Sequence, residues 1–121
     1  YPKIITKSEE IIYGLRNFIG NSNKFSKNNV YITLKSDSEF TEITIEDDGP
    51  GYPNDILPKI GEPYLKTINF YEETKSGLGL GIFIGKTLLE KNFALVTCSN
   101  SQTRSGVEVS IKWKNKELFN I

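Results

Sequence analysis

Read from its amino end, the chain alternates blocks of helical and strand period with short polar turns. After an extended lead-in carrying Ile4 and Ile5, Ser8 opens a predicted helix. Ile11, Ile12, Leu15, Phe18, Ile19 and Ser22 recur at helical spacing to about Ser26, which sets one side of a helix against a core. Val30, Ile32 and Leu34 then alternate with Tyr31, Thr33 and Lys35, and a period of two predicts a half-buried strand. Phe40, Ile43 and Ile45 carry a second β-rich stretch ending near Glu46, with Asp37 and Ser38 as turn residues between the two. The sequence GPGYP at 49–53 stops that strand.

The period is lost from Pro53 to Ser76, apart from a short predicted helix over 54–58. Unpatterned segments of this length in a compact domain are lids, binding loops or disorder. Helical spacing returns over Gly79–Lys91, with Leu80, Ile82, Phe83, Leu88 and Leu89 as core candidates. Phe93–Cys98 and Gly106–Trp113 read as two further strands, joined by a turn over Asn100–Ser105. Phe18, Phe83, Phe93 and Trp113 are assigned to the core, and Cys98 is read as a small core residue. Strands in two pairs, with helices before and between them, predict an α/β (α+β) two-layer sandwich. Its helices pack on one face of a mixed, mainly antiparallel sheet. The whole chain, 1–121, reads as a single domain with a lid over about 53–76.

Composition narrows what such a domain can do. At 121 residues, with 37% apolar and 25% charged, the chain suits one soluble core. Lys+Arg and Asp+Glu both number 15, a balance that argues against general nucleic-acid binding or a polybasic membrane contact. No apolar run approaches the roughly 18 residues needed to span a bilayer. The single Cys98 cannot form an internal disulfide and fits a reducing compartment. Histidine is absent, which removes a Ser-His-Asp triad, a His/Cys zinc site and a histidine base together.

Three short stretches carry the chemistry that remains. In RNFIGNSNKFS, residues 16–26, Asn17, Asn21 and Lys24 fall on one helix face. Amide carbonyls are hard oxygen ligands suited to Mg²⁺, and a lysine one turn on can meet a phosphate oxygen. The bland alternative is a polar stripe that merely faces water. In EDDGPGYP, residues 46–53, Asp47 ends an apolar strand, and Gly49 and Gly51 follow as D-x-G-x-G. A carboxylate there can accept from an exocyclic amine such as adenine's N6, and the glycines admit a flat ligand. An ordinary turn would look the same. In GLGLG, residues 77–81, small residues lead into a helix. The backbone N–H groups of Gly77, Leu78, Gly79, Leu80 and Gly81 and the helix dipole then favour phosphate. Thr74, Lys75 and Ser76 add further phosphate contacts. The pattern is neither Walker A nor the Rossmann fingerprint, and a flexible hinge is its alternative. The order of the three stretches is more telling than any one of them.

Together they resemble the Bergerat-type ATPases, and within those the sensor histidine kinases, over nearly the whole chain. NFIGNSNKFS looks like the N box, with Asn21 at the Mg²⁺-binding position and Lys24 at the phosphate-contacting one. DDGPG looks like the G1 box, with Asp47 at the adenine-binding position. IGEPYLKT (60–67) looks like the F box and GLGLG like the G2 box. GEPYLKT, GIFIGKTLLE and Trp113 are similar to the redox-responsive RegB/PrrB-type kinases. The sequence departs from the family at Ile60 and Tyr64, where many relatives carry Phe, and at Ser22, where Ala is common. Gyrase-like and Hsp90-like hydrolases and anti-sigma-factor kinases carry Glu one turn before the Mg²⁺ asparagine; here that residue is Asn17, and an amide is no general base.

The resemblance implies a cytoplasmic domain that presents Mg²⁺ and ATP for γ-phosphoryl transfer to a histidine on a separate dimerisation domain. The phosphoryl group would pass onward to a response regulator. The parent protein would be a homodimer anchored in the bacterial inner membrane. Asn17, Asn21 and Lys24 would be the catalytic set. Asp47, Gly49, Gly51, Lys75 and Gly77–Gly81 would complete the nucleotide site. An anti-sigma-type serine kinase and a non-catalytic interaction module are the alternatives on the same fold.

Overall fold

The computed structural model describes residues 8–52 and 78–118. The expected lid, its short helix, the F-box stretch, Lys75 and Gly77 lie outside them. In chain order the elements are α1 (Glu9–Phe25), β1 (Val30–Ser36), β2 (Phe40–Asp47), α2 (Leu78–Lys91), β3 (Leu95–Asn100), β4 (Val107–Lys114) and the single turn α3 (Asn115–Leu118). The strands form one sheet in the order β1-β2-β4-β3, and every pairing among the described strands is antiparallel.

Helix α1 starts where its cap predicts. Ser8 has extended backbone, and its Oγ accepts from the Ile11 N–H at 3.4 Å. Glu9 and Glu10 occupy the first turn and Lys24 the last, the signs the helix dipole favours. Helices α1 and α2 cross closely because two glycines meet there. A Cβ on Gly14 would come within 2.8 Å of Leu89 Cγ, and one on Gly85 within 3.2 Å of the Gly14 carbonyl oxygen.

The two helices cover one face of the sheet. On β4, Val107, Val109, Ile111 and Trp113 are buried, while Glu108, Ser110 and Lys112 face outward and are only partly covered. Ile45 of β2 and Val96 of β3 sit on the covered face beside them. With Ile11, Phe18, Ile82 and Leu89 from the helices they make one core. Trp113 closes its lower end, donating its indole N–H to the Asn92 carbonyl at 3.0 Å. Cys98 packs against the same core and is partly buried. Burial pushes its thiol up to about 11, so it stays protonated and unreactive at neutral pH.

Two expectations fail, each for a local reason. Ile32 and Leu34 pair with Ile45 and Ile43 on the covered side, yet they are 55% and 67% exposed. β1 is an edge strand, and the helices reach only its start, so the strand is not half-buried. Phe93 is 55% exposed rather than core. It follows α2 in the left-handed region, at φ 72, where the chain reverses and Ala94 N–H bonds back to the Leu89 carbonyl. That turn carries its ring out of the layer. Phe83 is partly buried, and Phe18 is fully buried as expected. Among the described residues no helix is long and apolar enough to cross a membrane.

Candidate functional site

Asp47 closes β2 and is 2% exposed. A buried carboxylate must have its lone pairs satisfied. Oδ1 accepts from the Gly49 N–H at 2.9 Å and the Val107 N–H at 3.3 Å. Among the described residues both of its hydrogen bonds end on this one oxygen. Gly106 is what lets β4 come this close: a Cβ there would collide with Asp47 Oδ1 and with its backbone carbonyl.

The loop after Asp47 is held from three sides. Gly51 takes φ 76, a conformation that suits glycine. Asn100, at the end of β3, grips the next residue in both directions. Its Oδ1 accepts from the Tyr52 N–H and its Nδ2 donates to the Tyr52 carbonyl, each at 2.8 Å. Ser105 Oγ donates to the Gly49 carbonyl at 3.4 Å. On the third side Gly49 abuts the Phe25 carbonyl at the end of α1, and a Cβ would not fit between them. Asp48 accepts from the backbone N–H groups of Lys27, Asn28 and Asn29 at 2.8–3.2 Å. Those bonds, the Asn28 amide first, hold its carboxyl below the ordinary range. Burial pushes the Tyr52 hydroxyl well above its usual value.

One turn back along α1 the polar stripe meets α2. A Cβ on Gly81 would lie 3.4 Å from Asn17 Oδ1 and 3.5 Å from Asn21 Nδ2. Asn17 donates from Nδ2 to the Tyr13 carbonyl of its own helix at 3.0 Å, leaving Oδ1 toward Gly81. Asn21 Nδ2 is buried and has no hydrogen-bond partner among the described residues. Leu78, Gly79, Leu80 and Gly81 form the first turn of α2, where backbone N–H groups lack helical partners.

The structure thus brings Asn17, Asn21 and Gly81 together, and separately gathers Asp47, Gly49 and Gly51. The two groups share the C-terminal half of α1, since Gly49 touches Phe25 and Asn21 lies four residues before it. Lys24 is exposed in the last turn of α1, with its ammonium 5.8 Å from the Phe25 ring. Asp48, Asn100, Ser105 and Gly106 are participants that the sequence reading missed. Only the doubled Asp-Asp at the strand end hinted at one of them. Asn100 and Gly106 come from distant chain, and no periodicity marks them.

Donor chemistry can be tested on this arrangement. Among the described residues no cluster of three or more His, Cys, Asp or Glu side chains could cage a metal. An ion suited to the seam is therefore one that takes few protein oxygens and keeps ligand oxygens and waters, as Mg²⁺ does. Asn21 Nδ2, a donor without a partner among the described residues, suits a phosphate oxygen beside the helix start, while Oδ1 of the same side chain is the atom that Mg²⁺ would take.

Comparison with known proteins supplies the context. Residues 6–117 match the family described as histidine kinase-, DNA gyrase B-, and HSP90-like ATPase. The sensor histidine kinase RegB of Cereibacter sphaeroides is 38% identical over 81% of this chain, which spans 22% of that relative. The sensor histidine kinase CpxA of Escherichia coli is 26% identical over 72% of the chain, which spans 19% of it. The chain thus spans about a fifth of the length of such relatives. Among solved structures, the mycobacterial sensor histidine kinase MprB superposes with a TM-score of 0.70 at 20% identity, over 91% of this chain and 76% of that one. Full-length ShkA in complex with AMPPNP superposes with a TM-score of 0.68 at 24% identity, over 90% of this chain and 22% of that one. At these identities the superpositions establish a shared fold.

Proposed function

Because this chain belongs to the family of histidine kinase-, DNA gyrase B- and HSP90-like ATPases, whose Bergerat fold it has, we propose that it is the ATP-binding catalytic unit of a sensor histidine kinase. The observation that carries the proposal is the placing of Gly81 against the Asn17 and Asn21 amides. It sets the anion-favouring first turn of α2 beside Asn21 Nδ2, a buried donor with no partner among the described residues, one helical turn from the loop that holds Asp47.

In this reading the Asp47 carboxylate accepts from adenine N6, with Gly49 and Gly51 admitting the ring. Asn21 would hold Mg²⁺ through its side-chain oxygen. The metal would supply charge stabilisation of the triphosphate. The N–H groups of Gly77–Gly81, with Lys24 and Lys75, steady the phosphates, and residues 53–76 act as the lid. A histidine nitrogen on a separate dimerisation domain forms a bond to the γ-phosphorus while the bond to the ADP oxygen breaks. Such transfer needs positioning and charge stabilisation rather than a strong base. Asn17 suits it, since an amide cannot activate water for hydrolysis. The acceptor domain, a response regulator and a membrane-anchored homodimeric parent complete the proposal.

The test is calorimetric. The chain should bind ATP, more tightly with Mg²⁺ than without, and should phosphorylate an added histidine-bearing dimerisation domain but not itself. Asn21→Ala should keep the fold and abolish the Mg²⁺ effect. Stable labelling of the chain alone, or unfolding of Asn21→Ala, would contradict the reading.

A further inference from the structure

The β1–β2 ladder ends at the pair Val30 and Asp47. Just before it, the N–H groups of Lys27, Asn28 and Asn29 have left α1 and not yet entered the sheet. Asp48 gathers all three. Its Oδ1 accepts from Lys27 at 2.8 Å and Asn28 at 3.0 Å, and its Oδ2 from Asn28 at 3.2 Å and Asn29 at 3.1 Å. The next residue, Gly49, abuts the carbonyl of Phe25, the last residue of α1. Side chain and backbone of neighbouring residues therefore fasten the same helix end.

We propose that Asp48 is a positioning residue, a carboxylate latch that fixes the end of α1, and with it Asn21, at a set span from Asp47. The proposal rests on the nucleotide reading above and adds to it a residue that touches no ligand. A carboxylate suits the task because it is acceptor-only, with two oxygens for converging donors. An amide would offer one oxygen and turn its own N–H₂ toward backbone N–H groups.

The experiment compares the full chain with Asp48→Asn and Asp48→Ala. In nucleotide-free protein, the amide resonances of Lys27, Asn28 and Asn29 should shift together on acidification. Their midpoint should lie below the ordinary Asp value, and the shared transition should vanish in Asp48→Asn. In both variants Mg-ATP affinity should fall on the order of tenfold, as a displaced contact demands. Adenosine affinity should hold, because the bonds to Asp47 are untouched. Equal loss for both ligands would mean a general structural role and overturn the proposal, as would an unchanged Mg-ATP affinity. Should Asp48→Ala fail to fold, Asp48→Asn decides alone. If the unaltered chain binds no ATP, the nucleotide reading falls and takes the span claim with it, a result distinct from a missing amide transition, which removes the latch itself.

Discussion

At the end of β2, the Asp47 and Asp48 carboxylates and the Asn100 amide each accept backbone N–H groups. At the seam of α1 and α2, by contrast, among the described residues Asn17 bonds only within its own helix and Asn21 Nδ2 is buried without a partner. A hydrogen bond to a buried charged group such as Asp47 contributes about 1.5–3 kcal/mol, whereas an unsatisfied buried polar group costs about 1–3 kcal/mol. The strand end therefore adds to stability, and the seam subtracts from it. The half proposed to recognise the base is built in as part of the fold. The half proposed to hold metal and phosphate keeps its polar groups for something else. Substitutions should separate accordingly: those that force the strand-end backbone apart act on folding, and those at the seam cost binding without costing stability.

The largest effect belongs to Gly106→Ala. The new methyl would collide with the Asp47 carboxylate and backbone, both fixed by neighbours. Forced rearrangement of this kind costs about 3 kcal/mol, and denaturant unfolding would measure it. A stability loss well under 1 kcal/mol would mean that the strand end yields easily, and the contrast between the halves would weaken. Asp47→Asn comes next. Oδ1 can still accept from Gly49 and Val107, so folding should suffer less than in Gly106→Ala. ATP affinity should drop by about 1–3 kcal/mol, the loss of a charged hydrogen bond, read by calorimetry. A fall in stability as large as that of Gly106→Ala would make Asp47 a folding residue first.

The contrast also marks what was legible in the sequence. Helices, strands and the shared face of Asn17 and Asn21 follow from period, because period dictates which residues point the same way. Period does not say what covers a face. Ile32 and Leu34 have the alternation of a buried strand and lie exposed at the sheet's edge. Nor does hydrophobicity report backbone reversal, and Phe93 at φ 72 escapes the core by that route. Asp47 was readable because it ends an apolar run before two glycines. Asp48 beside it looked like the same signal repeated, and its amide partners some twenty residues earlier carry no mark in their side chains. The clamp of Asn100 on Tyr52 spans forty-eight residues, a pairing that only the strand order β1-β2-β4-β3 creates.

Gly81→Ala carries the smallest expected energy and discriminates best between the halves. Its Cβ would sit 3.4 Å from Asn17 Oδ1 and 3.5 Å from Asn21 Nδ2, ordinary contact that needs no rearrangement. Alanine in a helix is favoured over glycine by about 0.5–1 kcal/mol, so the variant should be slightly more stable than the parent chain. The same methyl covers the asparagine amides where metal and phosphate are proposed to lie. Mg-ATP affinity should therefore fall while adenosine affinity does not. Thermal unfolding and paired titrations would show stability and binding moving in opposite directions, which a purely structural glycine cannot do. If Gly81→Ala lowers stability and spares Mg-ATP binding, the seam is ordinary helix packing and the difference between the two halves disappears.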